Sequence, residues 1–216
     1  MKSVLIIGMG RMGRHLARKM LQLGNDVMVV DICPDIINSL SDGFTDSGIC
    51  DCTNEAVIAA LGVDNFDICF VTIGEDFQAS LIITSLLKKH GARMIVAKAT
   101  QEIQAELLRT IGAHEIVNPE SEIAEKLAVR YNAQNIFDYI PLTADDSIYE
   151  IPVLPGWVGH SLIELDIRRK HRVNIIAVKN GGEVNANPAG EYHFRTGDHV
   201  ILIGKSDEVF KLSAKA

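Results

Sequence analysis

Three glycines and one acid have the spacing of a nucleotide-binding turn. Gly8, Gly10 and Gly13 follow the apolar run Val4–Ile7, with Met9, Arg11 and Met12 between them. Gly8 allows the tight turn, Gly10 lets the main chain approach a phosphate with no side chain intervening, and Gly13 lets a helix pack closely on the strand. The N-terminus of that helix presents free N–H groups to an anion. A second apolar run, Val27–Val30, ends on Asp31, eighteen residues after Gly13. A carboxylate there accepts hydrogen bonds from both hydroxyls of an adenosine ribose. A strand before the turn, a helix after it and the acid closing the second strand together predict a nucleotide-binding βαβ unit. Asp31 repels a 2′-phosphate, and Ile32, Cys33 and Pro34 behind it offer no Arg to accommodate one, so NADP is disfavoured.

Other polar residues fall near the same turn. Arg11 lies inside it, beside the place where phosphate binds. Arg14, His15, Arg18 and Lys19 crowd the positive end of the following helix, where each cation costs about 0.3–1 kcal/mol unless an anion is near. Arg18 and Lys19 read as a solvated face. Thr72, Ile73 and Gly74 close a later apolar run at the sheet edge where such folds bind ligands, and Gly74 lets the chain pass close to a ribose. Lys98, just past the next strand, is either a surface lysine or a point charge that meets phosphate. Glu120 follows Pro119 at a helix start, a common capping arrangement. The seven histidines form no HExxH or triad pattern, and no GxSxG elbow is present.

The elements that must hold these residues alternate with short gaps. After the βαβ unit the sequence predicts a short helix over Pro34–Leu40, a strand over Phe44–Cys50 and a helix over Asn54–Leu61 capped by Thr53. A strand Asp67–Ile73, apolar enough to be covered on both faces, a helix Glu75–His90, a strand Arg93–Ala97, a helix Gln101–Ile111 and a short strand Glu115–Val117 follow. This is an α/β pattern, a Rossmann-like doubly wound parallel sheet. Pro119 suits the first position of a helix running Glu120–Tyr131, with Ile123, Leu127 and Tyr131 along one face. A polar stretch, Asn132–Asn135, leads to a small α+β module. It comprises a strand Ile148–Leu154, a turn at Pro155-Gly156, a short helix Ser161–Arg168, a strand Val173–Lys179, a hairpin turn at Gly181-Gly182 and a last strand His199–Ile203. The domains expected are 1–135 and 136–216.

Composition narrows the class. A chain of 216 residues can bury a real core. A net charge of −7 argues against a nucleic-acid partner. No apolar run approaches the roughly 18 residues of a membrane helix, and Met1-Lys2 leads straight into the first strand without a signal peptide, so a cytoplasmic location is expected. Cys33, Cys50, Cys52 and Cys69 form no CxxC pair and read as free thiols, with Cys50 and Cys52 on one side of an extended segment.

In order along the chain, GMGRMG, Asp31, Asp51-Cys52, TIGEDFQASLI (72–83), VAKA (96–99), NPE (118–120), WVGHSLIELDIR (157–168), NIIAV (174–178) and NPAGEYHFRTGDHVILIG (187–204) resemble the RCK family over essentially the whole length. These are the cytoplasmic regulatory subunits, built from TrkA-N and TrkA-C domains, of Ktr/Trk-type potassium channels and transporters. The resemblance implies a regulator that binds adenine nucleotides (ATP, ADP, AMP, NAD or NADH), assembles as homodimers into a ring, and gates a membrane potassium pore subunit from the inner face of the membrane. It implies that Arg11 reaches nucleotide phosphates, in some members those of the neighbouring subunit. It further implies that Asp51 and Cys52 lie where the adenine edge is read, by the Asp carboxylate or the next backbone amide, unless Asp51 is a simple turn residue. Glu120 is implied as a ligand to a divalent cation near the phosphates. The segment Ile163–Ile176 resembles a cyclic di-AMP site, with Arg168 and Arg169 meeting phosphates and Ile163 and Ile176 flanking the bases. The alternative function is an NAD-dependent oxidoreductase, which needs a substrate pocket and a proton donor that no residue pattern supplies.

Overall fold

The run Ser3–Ile7 forms β1 and is buried on both faces: Leu5 and Ile7 pack into one apolar cluster, Val4 and Ile6 into another. Burying each such side chain contributes about 1.5–3 kcal/mol, so this strand anchors both layers of the domain. In the computed structural model, residues 1–40, 44–132, 135–143 and 145–215 are described. They divide into two units, Met1–Ser121 and Glu122–Ala216.

The first unit continues through α1 (Arg11–Gln22), β2 (Asp26–Asp31), α2 (Pro34–Asn38), β3 (Asp46–Ile49), α3 (Glu55–Leu61), β4 (Ile68–Val71), α4 (Phe77–Lys89), β5 (Ile95–Lys98), α5 (Glu102–Ile111) and β6 (Glu115–Val117), and ends at the start of α6 (Pro119–Asn132). The strands are parallel in the order β3-β2-β1-β4-β5-β6. This is the doubly wound arrangement, whose ligand crevice opens between β1 and β4, where the strand order reverses. The pairing register decides what meets at that crevice. Ile7 pairs with both Val30 and Val71, Asp31 with Ile49, Val71 with Ala97, and Lys98 with Val117. Gly8, Asp31, Cys50, Thr72 and Lys98 therefore line one edge of the sheet.

Two helix starts differ from expectation. Asn54, not Thr53, caps α3, accepting from the Ala56 N–H at 2.9 Å; the Thr53 hydroxyl is occupied with Asp51, at 2.7 Å. Asp76 caps α4 through the Ala79 N–H at 2.9 Å, so Glu75 stays outside the helix. α6 begins on Pro119, as a ring with preset φ and no N–H to lose favours.

The second unit is a five-stranded antiparallel sheet, order β10-β9-β11-β8-β7, made of β7 (Asp138–Pro141), β8 (Asp146–Pro152), β9 (Asn174–Asn180), β10 (Glu183–Asn185) and β11 (His199–Lys205). Ser147, Tyr149 and Ile151 alternate inward along β8, and Tyr149 packs with Trp157, Phe194, Leu202 and Leu212 in the core. β9 and β10 join through Gly181-Gly182, as expected. The single helix expected over Ser161–Arg168 is instead two, α7 (Leu162–Leu165) and α8 (Ile167–His171). A Ser161–Glu164 capping box starts α7, and Asp166, left-handed at φ 47°, breaks the run. β7, β10 and α9 (Ser206–Ser213) lie outside the elements expected, and positions 133 and 134 of the expected polar stretch lie outside the described residues. On α6, Ile123, Leu127 and Tyr131 are 55%, 46% and 78% exposed, while Val129 packs on the second core. Among the described residues no helix is long and apolar enough to cross a membrane.

Candidate nucleotide-binding site

The glycine turn is built as its spacing predicts. Gly8 has φ +95°, a conformation that a side chain rarely adopts. A Cβ on Gly13 would fall against the Gly8 carbonyl oxygen, so α1 can approach β1 this closely only with glycine there. Gly10 is the N-cap of α1 and makes no side-chain cap. The first N–H groups of a helix have no intrahelical acceptor. Those of α1 therefore remain available to an anion, whereas α3 and α4 spend theirs on Asn54 and Asp76.

Asp31 is held by two main-chain donors. Its Oδ2 accepts from the Met9 N–H at 2.6 Å and its Oδ1 from the Cys33 N–H at 2.8 Å. The carboxylate is thus fixed against the glycine turn, with further lone pairs left for ribose hydroxyls. The Met9 amide serves Asp31, and its side chain is fully buried in the core below the turn; Met12 is half-buried. Arg11 is exposed at the first position of α1. Arg14, by contrast, turns back, its Nε donating to the Met9 carbonyl at 2.7 Å.

Thr72 takes a role that its sequence position did not announce. It is 6% exposed, and its hydroxyl lies 2.5 Å from the Gly8 carbonyl oxygen and 3.2 Å from that of Ile7. Its side chain thus buttresses the turn from below rather than facing the crevice. The Ile73 side chain and amide lie directly against Gly8. At Gly74 a Cβ would stand 3.4 Å from Lys98 Nζ. That ammonium group, on a side chain 13% exposed, pairs with Glu120 Oε1 at 2.7 Å. The hydrogen bond from Lys98 holds the Glu120 carboxyl below the ordinary carboxylate range, and the Arg11 charge adds to this. Gly74, Lys98 and Glu120 therefore meet in one polar group within electrostatic reach of Arg11.

At the opposite end of the edge, the Asp51 carboxylate accepts from the Thr53 hydroxyl and the Thr53 N–H at 2.9 Å, and both bonds hold its pKa low. Cys52 is 4% exposed and its side chain joins the core, which leaves only its main chain at the edge. Burial pushes its thiol far above the usual range. All four cysteines are free thiols. Among the described residues no cluster of three or more His, Cys, Asp or Glu could hold a metal ion.

Residues 4–119 match the TrkA-N domain family, and residues 147–215 match the TrkA-C domain family. The chain belongs to the TrkA-N/TrkA-C family. Among family members, it is 34% identical to Ktr system potassium uptake protein C of Bacillus subtilis (strain 168), over 99% of this chain and 97% of that protein. It is 31% identical to Ktr system potassium uptake protein A of the same strain, over 96% and 94%. In fold it is similar to the GsuK channel bound to NAD, with a TM-score of 0.68 and 21% identity over 96% of this chain. This TrkA-N/TrkA-C chain spans only 38% of that channel chain, so the likeness is one of fold.

Proposed function

We propose that this chain is the nucleotide-binding regulatory subunit of a potassium uptake system, acting at the cytoplasmic face of the membrane through a separate pore subunit, and that it is not an enzyme. The observation that carries the reading is the uncapped N-terminus of α1, set across the glycine turn from a carboxylate already oriented by two main-chain N–H groups. Diphosphate belongs over Gly8–Gly13 with Arg11, the ribose on Asp31, and adenine against Asp51 and the Cys52 main chain. The full-length likeness to two Ktr system potassium uptake proteins supports the transport role.

The Lys98–Glu120 pair suits a change of ligand. Lys98 would hold a nucleotide phosphate in place of Glu120, and the Glu120 carboxylate so released could serve as one hard ligand to a divalent cation, which would neutralise phosphate charge there. Glu120 supplies one carboxylate only, so the cation depends on the nucleotide. ATP and ADP, which differ in their phosphates, would then favour different arrangements of a ring; NADH and NAD, alike in their phosphates, would have to do so through the nicotinamide. Driving such an equilibrium from 1:99 to 99:1 takes about 5.5 kcal/mol of differential affinity, which repeated sites in a homo-oligomer can share.

A second ligand is proposed for the C-terminal unit. Ile163, Asp166, Arg168 and Val173 line an open cavity of about 370 Å³, in which Ile163 is 65% exposed. Arg169 is paired with Asp166 at 2.6 Å. Cyclic di-AMP bound across a two-fold axis would set its phosphates on Arg168 and Arg169. Calorimetry on the full chain tests this, with Arg169→Ala expected to weaken binding at least tenfold, about 1.4 kcal/mol.

The deciding experiment reconstitutes the chain with a potassium pore subunit and measures flux as ATP, ADP, NAD and NADH are varied. Flux that depends on the nucleotide supports regulation. Flux indifferent to all four, or turnover of NADH by the purified chain, favours the oxidoreductase alternative.

A further inference from the structure

The β3 end of the cleft carries a feature that nucleotide recognition does not use. Cys50 Sγ and Cys52 Sγ lie 3.9 Å apart, and neither thiol has another hydrogen-bond partner among the described residues. Cys52 is 4% exposed within the core, whereas Cys50 is half-buried and reaches solvent. The Cys50 N–H donates to the Asp31 carbonyl at 3.0 Å, and Asp51 sits between the two cysteines. The pair is therefore joined by one main-chain bond to the residue that holds the ribose in the reading above, and it brackets the residue assigned to the base.

We propose that Cys50 and Cys52 form a thiol–disulfide modification site, oxidised by a low-molecular-weight disulfide, whose closure weakens adenine-nucleotide binding at the adjoining cleft. The coupling rests on the nucleotide reading of that cleft; the modification site itself does not. Exchange proceeds through a mixed disulfide. The Cys50 sulfur loses its proton and attacks one sulfur of RSSR, breaking that S–S bond and releasing RSH. The Cys52 sulfur then attacks Cys50 Sγ, a new S–S bond forms, and the second R leaves as RSH with the Cys52 proton. Two cysteine thiols are oxidised by two electrons and one RSSR is reduced to two RSH.

Exposure assigns the order of attack. A reagent reaches Cys50, while Cys52 is covered, and burial first and Cys50 second push the Cys52 thiol up, which disfavours it as the initial nucleophile. The Asp51 and Asp31 carboxylates add to that rise, which ties the thiol electrostatically to the residues of the cleft. Closure must bring the sulfurs from 3.9 Å to about 2.05 Å. A ring closed across a single intervening residue constrains the main chain around Asp51, and so acts on the Cys50 N–H bond to Asp31. Cys69 is fully buried, its thiol pushed up to about 12 by burial, and it serves as an internal control that stays reduced.

The test treats the full chain with oxidised glutathione, maps its linkages by mass spectrometry without reduction, and titrates ATP and NAD into reduced and oxidised samples. The expected result is a peptide lacking two hydrogens and linking Cys50 to Cys52, at least tenfold weaker nucleotide binding, and recovery with dithiothreitol. Cys52→Ser should retain glutathione on Cys50, and Cys50→Ser should bind nucleotide equally before and after oxidation. Glutathione persisting on Cys50 in the unsubstituted chain, a link to Cys33 or to another chain, or unchanged affinity after closure overturns the proposal. A reduced chain that binds neither nucleotide overturns the cleft reading and the coupling with it, while the linkage map still decides the modification site.

Discussion

The Thr72 hydroxyl lies 2.5 Å from the Gly8 carbonyl oxygen, tying the end of β4 to the end of β1 across the point where the strand order reverses. The same hydroxyl is 2.8 Å from where a Gly13 side chain would begin. One buried threonine thus stands behind both glycines that shape the turn. Removing a buried hydrogen bond and leaving its acceptor unpaired costs about 1–3 kcal/mol. Thr72→Val should destabilise the ligand-free chain by that amount, read as a lower thermal midpoint, and reduce its stabilisation by ATP. Thr72→Ser should restore both. Differential scanning calorimetry with and without ATP measures them, and a Val variant as stable as the parent would remove the buttressing role.

Asp31 joins ribose recognition to the shape of the turn, because its carboxylate already holds the Met9 and Cys33 N–H groups. Adenine nucleotides should raise the thermal midpoint, by about 2.7 kcal/mol of added stability at a hundredfold excess over Kd, and NADP should do so far less. Asp31→Ala should abolish most of the shift and also lower the ligand-free midpoint, while Asp31→Asn, which keeps one acceptor oxygen, should lose the shift with a smaller cost to the fold. A full ligand shift in both variants would locate the ribose elsewhere.

In the second unit, Glu150 accepts from Lys179 Nζ at 3.1 Å and lies 2.8 Å from His199 Nδ1. Burial alone would raise its pKa, but the bonds to Lys179 and His199 outweigh that and hold it below the usual range. A carboxyl with a depressed folded pKa contributes stability that is present above its unfolded value and lost as pH falls through the folded one. Glu150→Gln should therefore cost about 1–2 kcal/mol near pH 7. The parent and variant should converge as the pH drops below about 4. Urea unfolding at several pH values reads the gap, and a gap independent of pH would mean packing, not charge, is responsible.

Ile123, Leu127 and Tyr131 form an exposed apolar stripe at four-residue spacing on α6. Such a stripe is covered when a second copy supplies the same face. Light scattering should find a dimer or larger species, and Leu127→Glu should shift it toward monomer with little change in helix content. A monomeric parent at high micromolar concentration would leave the stripe without that explanation.

Much of the first unit was legible because its information is local. Gly8, Gly13 and Asp31 are read from spacing, since the turn, the close helix and the strand-end carboxylate each demand one residue type at one position. β1 and β4 are read from unbroken apolar runs, because a strand covered on both faces has no polar side to alternate. The second unit was less legible: β7 is four residues with a single buried side chain, and Asp166 splits a run whose helical period is otherwise intact.

What tertiary structure alone decided was the choice of partner. The sequence placed Met9 in the glycine turn, Thr72 and Lys98 at strand ends and Glu120 at a helix start, but not the groups they meet. Parallel register carried Thr72 under Gly8, the Met9 amide onto Asp31 and Lys98 onto Glu120, pairs separated by 64, 22 and 22 residues. Cys50 and Cys52 were expected on one side of an extended segment, but their 3.9 Å approach depends on how the chain turns as it leaves β3. Spacing encodes the conformation of a residue and the face it occupies; the contacts it makes across the sheet depend on crossovers and register, which no short window of sequence contains.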